Sequence, residues 1–562
     1  MKLTGSQIVI ETLIEQGVTD VFGYPGGQVL NIYDELYKAQ DRINHVLTAH
    51  EQGASHAADG YARSTGKVGV VIATSGPGAT NLVTGIATAM LDSVPMVAIT
   101  GNVPNALIGR DSFQEIDITG ITLPITKHNY FVSDVNELAE TIREAFKIAK
   151  SGRPGPVLID IPKDVQIASA EYEKAEVVKA FTDKKAKDKC IEQAAALINE
   201  SKRPYIYIGG GVLGRDIAPD VMTFAEKIGG YIGCTFMGLS AFPSDHERFL
   251  GMQGMHGHYA SSMANKEADL VIGIGVRFSD RATGNTAKYV KNTQFIQLDV
   301  DSSELGKNIK VDVGVHGDLK DSLERICALV KKDERPGWKE IVESLQAEEK
   351  AIAQKAEEAT AVPLTPKQVM DIINDIKLDS TVVATDVGQH QMWAAQYLKF
   401  RKNRTFISSG GLGTMGYGLG AAIGAAVGSK ERAILVTGDG SFGMNLNELA
   451  TAVSYNLPVT IVLLNNGVLG MVRQWQTLFY GERYSNTVLG RKTDFMKLAD
   501  AFGAKGYRVA TPEAFRAAFS EASESEGTCL IEVLIDKDEF VLPMLPPGGS
   551  IDDIIVAKER GE

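Results

Sequence analysis

Gly438-Asp439-Gly440-Ser441 is followed, 27 positions after Asp439, by Asn466. One carboxylate and one amide oxygen are a sparse ligand set for a divalent cation. Mg²⁺ accepts such a set when phosphate oxygens complete its octahedron. A helix starting over Ser441 to Asn445 would aim free backbone N–H groups at the same anion. The segment therefore fits a Mg–diphosphate ligand.

These residues need elements that bring them together. The surrounding sequence, ERAILVTGDGSFGMNLNELATAVSYNLPVTIVLLNNG, holds an apolar run from Ala433 to Thr437, a helical stretch, and a second apolar run from Val459 to Leu464. Short apolar runs of this kind predict buried strands. Strand–helix–strand predicts a parallel pair. Asp439 and Asn466 then stand at the carboxyl ends of strands, where open α/β sheets bind ligands.

The same alternation organises the chain into three α/β domains, each predicted as a doubly wound parallel sheet: 1–166, 190–335 and 364–540, with a Pro/Gly-rich tail over 541–562. A polar segment from Ala168 to Lys189 reads as a linker, and a charged helical run from Lys331 to Glu358, leading to Pro363 and Pro366, marks the second boundary. In the first domain, VLTAHEQGASHAADGYAR places Glu51 after a strand (Ile43 to Thr48) and at a helix start, where the helix dipole favours a carboxylate. Gly209-Gly211-Gly214 follows the strand PYIYI and precedes a helix, the context of a nucleotide-type phosphate turn. Gly411-Gly413-Gly416 follows only a short TFIS strand and runs into a Gly/Ala-rich helix, so it predicts close backbone approach and no dinucleotide fingerprint.

Composition bounds the function class. The 562 residues are 44% apolar and 23% charged, ordinary for a globular protein, and the net charge of −13 argues against nucleic-acid binding. No apolar run reaches membrane-span length and the N-terminus lacks a signal-peptide core, so a cytoplasmic chain with no membrane partner is expected. Cys190, Cys234, Cys327 and Cys529 have no ligand spacing and are expected as reduced thiols.

The GDG…NN stretch resembles the thiamine diphosphate (ThDP) enzyme signature. Within that family the chain is similar, over essentially its whole length, to the acetohydroxyacid synthase (acetolactate synthase) large catalytic subunits. The resemblance is carried by FGYPGG (Phe22 to Gly27), HEQGA (His50 to Ala54), SFQE (Ser112 to Glu115), TKHNY (Thr126 to Tyr130), SGRPGPVLIDIPKDVQ (Ser151 to Gln166), RFSDR (Arg277 to Arg281), GQHQMW (Gly388 to Trp393), GGLGTMGYGLGAAIG (Gly410 to Gly424), LGMVRQWQ (Leu469 to Gln476) and PMLPPGG (Pro543 to Gly549).

The resemblance implies the reaction and its residues. Pyruvate would be decarboxylated on ThDP and its two-carbon unit joined to pyruvate or 2-ketobutyrate, for branched-chain amino-acid synthesis. Asp439, Asn466 and the Val468 carbonyl would ligate Mg²⁺. Gly388, Gln389, His390, Gly440 and Ser441 would hold the diphosphate, with Gly413, Met415 and Met471 on the thiamine. Glu51 would hydrogen-bond the aminopyrimidine, with Gln114 and Lys163 as further catalytic residues and Phe113 lining the substrate path. Arg281 would bind the second ketoacid's carboxylate, for which its fork is suited, and Trp475 would shape the acceptor pocket. A structural, non-redox FAD would lie against Arg153, Gly209, Gly210, Thr235, Met255, His256, Arg277, Asp299 and Asp318.

Glu51 and Asp439 would come from different subunits, implying a homodimer or homotetramer, with a small regulatory subunit as a further partner. Three positions depart from the family pattern: Ser279 for the usual Asp, Gly443 for Gln and Gly420 for Pro. The alternatives are a catabolic acetolactate synthase, expected to lack both Arg281 and Trp475, another ThDP decarboxylase or oxidase, and a silent scaffold subunit. Intact Glu51, Lys163, Asp439 and Asn466 argue against the last.

Overall fold

Three six-stranded sheets, all of parallel pairs, make up the fold. The structure is a computed structural model that describes residues 1–181, 183–289, 293–358 and 364–557. The first sheet contains β1 (Asp20–Tyr24), β2 (Asn44–Leu47), β3 (Gly69–Ala73), β4 (Met96–Asn102), β5 (His128–Phe131) and β6 (Pro156–Pro162). The second contains β7 (Pro204–Ile208), β8 (Tyr231–Cys234), β9 (Phe249–Met252), β10 (Leu270–Ile274), β11 (Gln294–Asp299) and β12 (Val313–His316). The third contains β13 (Val382–Thr385), β14 (Phe406–Ile407), β15 (Ala433–Gly438), β16 (Val459–Asn465), β17 (Lys505–Val509) and β18 (Cys529–Leu534). The central strands are buried along their whole length, as parallel sheets covered by helices on both faces require.

Strand order separates the domains into two kinds. The first sheet runs β2-β1-β3-β4-β6-β5 and the third β14-β13-β15-β16-β18-β17, the same order once each is counted from its own first strand. The middle sheet runs β9-β8-β7-β10-β11-β12, the doubly wound order of dinucleotide-binding folds.

Six helices position the functional residues: α1 (Glu51–Thr65), α2 (Val83–Asp92), α3 (Gln389–Tyr397), α4 (Tyr417–Ser429), α5 (Asp439–Asn445) and α6 (Gly470–Phe479). α1 and α4 each follow the second strand of their sheet, and they pack directly on each other. Small residues make this possible. A Cβ at Gly424 would overlap the Ala57 carbonyl oxygen, one at Gly60 the Ala421 carbonyl, and one at Gly420 would come within 2.8 Å of the Gly53 carbonyl. The contact also buries charge. Arg63 Nε meets Asp59 Oδ1 at 2.6 Å, Tyr417 Oη donates to the same oxygen at 2.6 Å, and Arg63 Nη2 meets Asp92 at 2.9 Å. Each carboxylate thus finds a donor, which burial demands.

The segment 168–189, expected as a linker, is instead a strap. Ser169–Glu171 pairs antiparallel with Lys2–Thr4, Ala175 N donates to Glu15 at 2.9 Å, and Asp318 N donates to the Lys184 carbonyl at 2.8 Å. Most of its charged side chains face solvent, Asp183 instead pairing with Arg215 at 2.7 Å, while these backbone groups are paired, which composition cannot reveal. The charged run forms a helix, Pro336–Glu358, pinned by buried Trp338, whose indole N–H donates to the Pro204 carbonyl at 3.1 Å. Pro363 and the last five residues of the tail lie outside the described residues. The rest of the tail folds back: Met544 bridges Ile555, and Leu545 N donates to the Met255 carbonyl at 2.7 Å. Among the described residues no helix is long and apolar enough to cross a membrane.

Gly424→Ala forces a methyl into the Ala57 carbonyl and is expected to cost about 1–3 kcal/mol, read from the urea midpoint. Gly214→Ala, where a Cβ meets nothing within 4 Å, should leave that midpoint unchanged or raise it.

Candidate active site

Strands β15 and β16 deliver Asp439 and Asn466 at their carboxyl ends, as the strand–helix–strand pattern predicts. The intervening helix begins earlier than expected, with Asp439 as its first residue rather than Ser441. Burial raises the Asp439 carboxyl to about 6, opposed by backbone N–H groups of Asp439 itself, Gly440 and Asn466 and by the charge of Arg491. A buried carboxylate bonded only to backbone donors is a fitting metal ligand. Asn466 Nδ2 donates to Gln389 Oε1 at 3.4 Å, and Val468 N donates to Asn466 Oδ1 at 3.2 Å. Among the described residues no group of three or more His, Cys, Asp or Glu side chains could hold a metal. A cation at Asp439 must therefore complete its shell with amide, carbonyl, water or ligand oxygens, as Mg²⁺ with a diphosphate does.

The N-terminus of α3 closes the other side. Gly388 precedes it, and a Cβ on Gly388 or Gly438 would come within 2.8 Å of the His390 ring. His390 Nε2 is buried without a partner, and burial lowers the imidazole pKa to about 3. Gln389 Nε2 donates to Gln474 Oε1 at 3.0 Å and to the Glu539 carbonyl at 2.8 Å, tying α3 to α6, where Met471 occupies the first turn. Ser441 Oγ accepts from Gly416 N at 3.3 Å. Met415 is half-buried beside it, and Gly413 (φ 67°) has open space around its Cβ position, room that a ligand can fill.

Asp386 was missed from the sequence. It is fully buried and accepts Gly416 N at 2.8 Å and Thr437 Oγ1 at 3.3 Å; burial raises its carboxyl, which these donors offset. Its only signal was its position at the end of β13, just before Gly388-Gln389-His390.

A second group lines the carboxyl ends of the first sheet. Asn81 Nδ2 donates to Glu51 Oε2 at 3.0 Å, and a Cβ on Gly78 would approach Glu51 Oε1 at 3.3 Å. Gln114 (φ 60°) presses on Gly76, whose Cβ would come within 3.0 Å of the Gln114 Cα. Lys163 Nζ donates to the Gly27 carbonyl at 3.0 Å. Phe113 is 85% exposed. Among the described residues no hydrogen bond or ion pair joins Glu51, Phe113, Gln114 or Lys163 to the Asp439 group within the chain. From the C-terminal domain, Glu448 accepts the Ala49 N–H at 3.2 Å; its carboxyl is raised by burial, to which the charge of Glu51 adds.

The expected acceptor residues do meet. The Arg281 guanidinium lies 5.9 Å from the centre of the Trp475 ring, and Arg281 Nη1 is 3.5 Å from Met255 Sδ. The tail covers this corner: Gln474 Nε2 donates to the Val541 carbonyl at 3.1 Å, and Asn285 N to the Gly549 carbonyl at 3.2 Å.

The residues expected to hold FAD gather around the middle sheet's switch point. Gly209 and Gly211 press against Gly275, with no space for a side chain: a Cβ on Gly211 would meet the Gly275 Cα at 2.7 Å. Thr235 caps the turn Phe236–Gly238, Asp318 caps the helix Leu319–Leu329, and the Gln396 amide donates to the carbonyl of buried His256 at 3.0 Å. Arg153 bonds Glu304 at 2.9 Å. Arg277 is held below its usual range by burial and by Arg153, with Asp92, Glu304 and Asp299 opposing; burial raises Asp299 to about 6. Glu304 Oε2 is buried without a partner. This crevice, with its buried charges of both signs, fits a dinucleotide.

Family models agree with the three-domain layout. The N-terminal TPP binding domain of thiamine pyrophosphate enzymes matches residues 3–121, their central domain 191–326, and their C-terminal TPP binding domain 386–533. A probable acetolactate synthase large subunit of Methanocaldococcus jannaschii is 45% identical, over 98% of this chain and 95% of its own length. The acetolactate synthase isozyme 2 large subunit of Escherichia coli K12 is 44% identical, over 98% and 99%. The acetolactate synthase large subunit of Corynebacterium glutamicum is 44% identical, over 98% and 90%.

The chain belongs to the acetolactate synthase large-subunit family of thiamine pyrophosphate enzymes.

For a thiamine pyrophosphate (thiamine diphosphate) enzyme, the cluster around Asp439 is the expected place for the diphosphate, and the raised Asp439 carboxyl makes a testable statement. Its folded pKa lies above the ordinary value of 3.8. The metal-free fold therefore loses this group's stabilising contribution as pH rises from about 4 to about 6, and cation binding needs the ionised form. Mg²⁺ affinity, measured by calorimetry with ThDP present, should fall about tenfold per pH unit below about 6. Asp439→Asn should abolish Mg²⁺-supported ThDP binding and, with it, that pH dependence.

Proposed function

We propose that this chain is the catalytic subunit of a biosynthetic acetohydroxyacid synthase that uses ThDP, Mg²⁺ and a structural FAD and accepts 2-ketobutyrate as well as pyruvate as second substrate. The observation that carries the acceptor assignment is the pairing of Arg281 with Trp475, a carboxylate-binding fork beside an indole wall in one corner under the C-terminal tail. When bound, ThDP supplies the nucleophilic carbon at which a 2-ketoacid loses CO₂.

The protein's residues supply position and protons. Asp439, Asn466 and the Val468 carbonyl hold the cation; Gly388, Gln389, His390, Gly440 and Ser441 line the diphosphate; Gly413, Met415 and Met471 flank the thiamine. Glu51 shares a proton with the aminopyrimidine ring nitrogen, and Gln114 and Lys163 line the path with Phe113. Arg281 orients the acceptor through its carboxylate, while Trp475 contacts its alkyl group. FAD would be held by Arg153, Gly209, Gly210, Thr235, Met255, His256, Arg277, Asp299 and Asp318, in a structural, non-redox role.

Two further expectations belong to this reading. Exposed Phe113, and a Glu51 bonded only within its own domain, support a site completed by a second copy of the chain. The name "large subunit" carried by the relatives supports a smaller regulatory partner.

Incubation of the purified chain with ThDP, Mg²⁺, FAD and equal pyruvate and 2-ketobutyrate should give acetohydroxybutyrate as the main product. Acetolactate alone, unaffected by omitting FAD, indicates the catabolic type instead; acetaldehyde or O₂ consumption overturns the reaction. Glu51→Gln should lower turnover at saturating ThDP by about 100-fold or more. Trp475→Leu should reduce the preference for 2-ketobutyrate over pyruvate by roughly tenfold, the worth of a methylene in an apolar pocket; an unchanged product ratio removes Trp475 from the pocket.

A further inference from the structure

We propose that helix α2 is a template for the cofactor loop and that Asp92 is its positioning residue. The Asp92 side chain is wholly buried. It receives Gly410 N at 3.0 Å and Gly411 N at 2.7 Å, and Arg63 Nη2 at 2.9 Å supplies the countercharge. One helical turn earlier on the same face, Thr88 Oγ1 lies 2.8 Å from Thr414 Oγ1. A first-domain helix therefore grips both ends of a third-domain loop, at Gly410–Gly411 and at Thr414.

Between the two grips the loop has little else to hold it. Gly411, Leu412 and Gly413 are exposed, and Gly413 has nothing within 4 Å of its Cβ position. Beyond the second grip, Thr414 N donates to Ser409 Oγ at 3.0 Å and Gly416 N to Asp386 at 2.8 Å. Gly411 is also required by the grip itself, since a Cβ there would come within 2.8 Å of Asp92 Oδ1. The path of the backbone from Gly410 to Met415 is thus set by two side chains of another domain. Charge-assisted bonds to backbone N–H groups are the stronger kind and are directional, so Asp92 fixes where Gly413 and Met415 present themselves. The inference rests on the reading of Gly413 and Met415 as ThDP contacts.

The test compares three variants of the full chain with Mg²⁺ present: Asp92→Asn, Asp59→Asn and Thr88→Val. Asp59→Asn takes from Arg63 its other carboxylate, keeps an amide oxygen that can accept from Tyr417, and leaves both grips on the loop in place. ThDP dissociation constants come from titration calorimetry, turnover from the carboligation assay at saturating ThDP, and stability from urea midpoints of the cofactor-free proteins. Loss of one charge-assisted bond predicts that Asp92→Asn weakens ThDP binding, or lowers turnover, by about tenfold or more. The pyruvate KM should not change. Asp59→Asn should lower the urea midpoint yet leave ThDP affinity within about twofold of the parent, a difference a purely structural role for Asp92 would not produce. If Asp92→Asn fails to fold, Thr88→Val decides: weaker ThDP binding at an unchanged midpoint supports the template.

Parent-like affinity and turnover in Asp92→Asn overturn the proposal, as does parent-like affinity in Thr88→Val where only that variant folds. So do losses in Asp92→Asn and Asp59→Asn that simply track stability. A parent protein that does not bind ThDP overturns the cofactor reading itself, a separate result.

Discussion

The contact between α1 and α4 is the constraint on which the arrangement depends. Two helices that occupy the same place in two sheets of the same strand order pack face to face, with Gly60, Gly420 and Gly424 removing the side chains that would separate them. So close an approach maximises dispersion contact and leaves no room for water. Polar groups caught in it must be paired, and Asp59, Arg63, Asp92 and Tyr417 pair one another. Replacing one member strands the others, which is why such networks specify an interface more than they stabilise it.

Function follows from what lies at the ends of those helices. α1 starts at Glu51 and α4 starts just after Met415, so locking the helices together sets where the two preceding loops must end. The expected diphosphate corner is built separately, at the carboxyl ends of β13, β15 and β16. The acceptor corner is different again. Arg281 comes from the middle domain and Trp475 from α6 of the third; the tail bonds Gln474 beside Trp475, while the Arg281 side chain stays exposed. Each of these groups is thus positioned by a different set of elements.

The middle domain keeps the strand order of a dinucleotide fold, while its neighbours share another order. Its glycine turn opposes Gly275 across the switch point, and its Glu304 reaches the first domain, where Arg153 bonds both Glu304 and Ser93. Ser93 directly follows Asp92. A ligand in that crevice would stiffen the junction that also holds the cofactor loop.

Much was legible in the sequence because it depends on local pattern. Asp439 and Asn466 were found because strand–helix–strand periodicity fixes which residues end the strands. Glu51 was placed at a helix start by the same logic. The full set of motifs identified the family, which no single motif could do. Other features depended on residues far apart in the chain. The polar segment 168–189 looked like a linker because composition reports side chains, whereas its order comes from backbone pairing with Lys2–Thr4 and with distant loops. Asp92 and Glu448 gave no signal, and Asp386 only its place at a strand end, because an acid's burial is set by what packs over it. Periodicity is a property of neighbours along the chain, so the sequence alone determined the strands, the helices and the ligand-bearing turns. Burial, and pairing across hundreds of residues, belong to the packed molecule. Only the tertiary structure could decide which helix grips which loop and which charges share the interior.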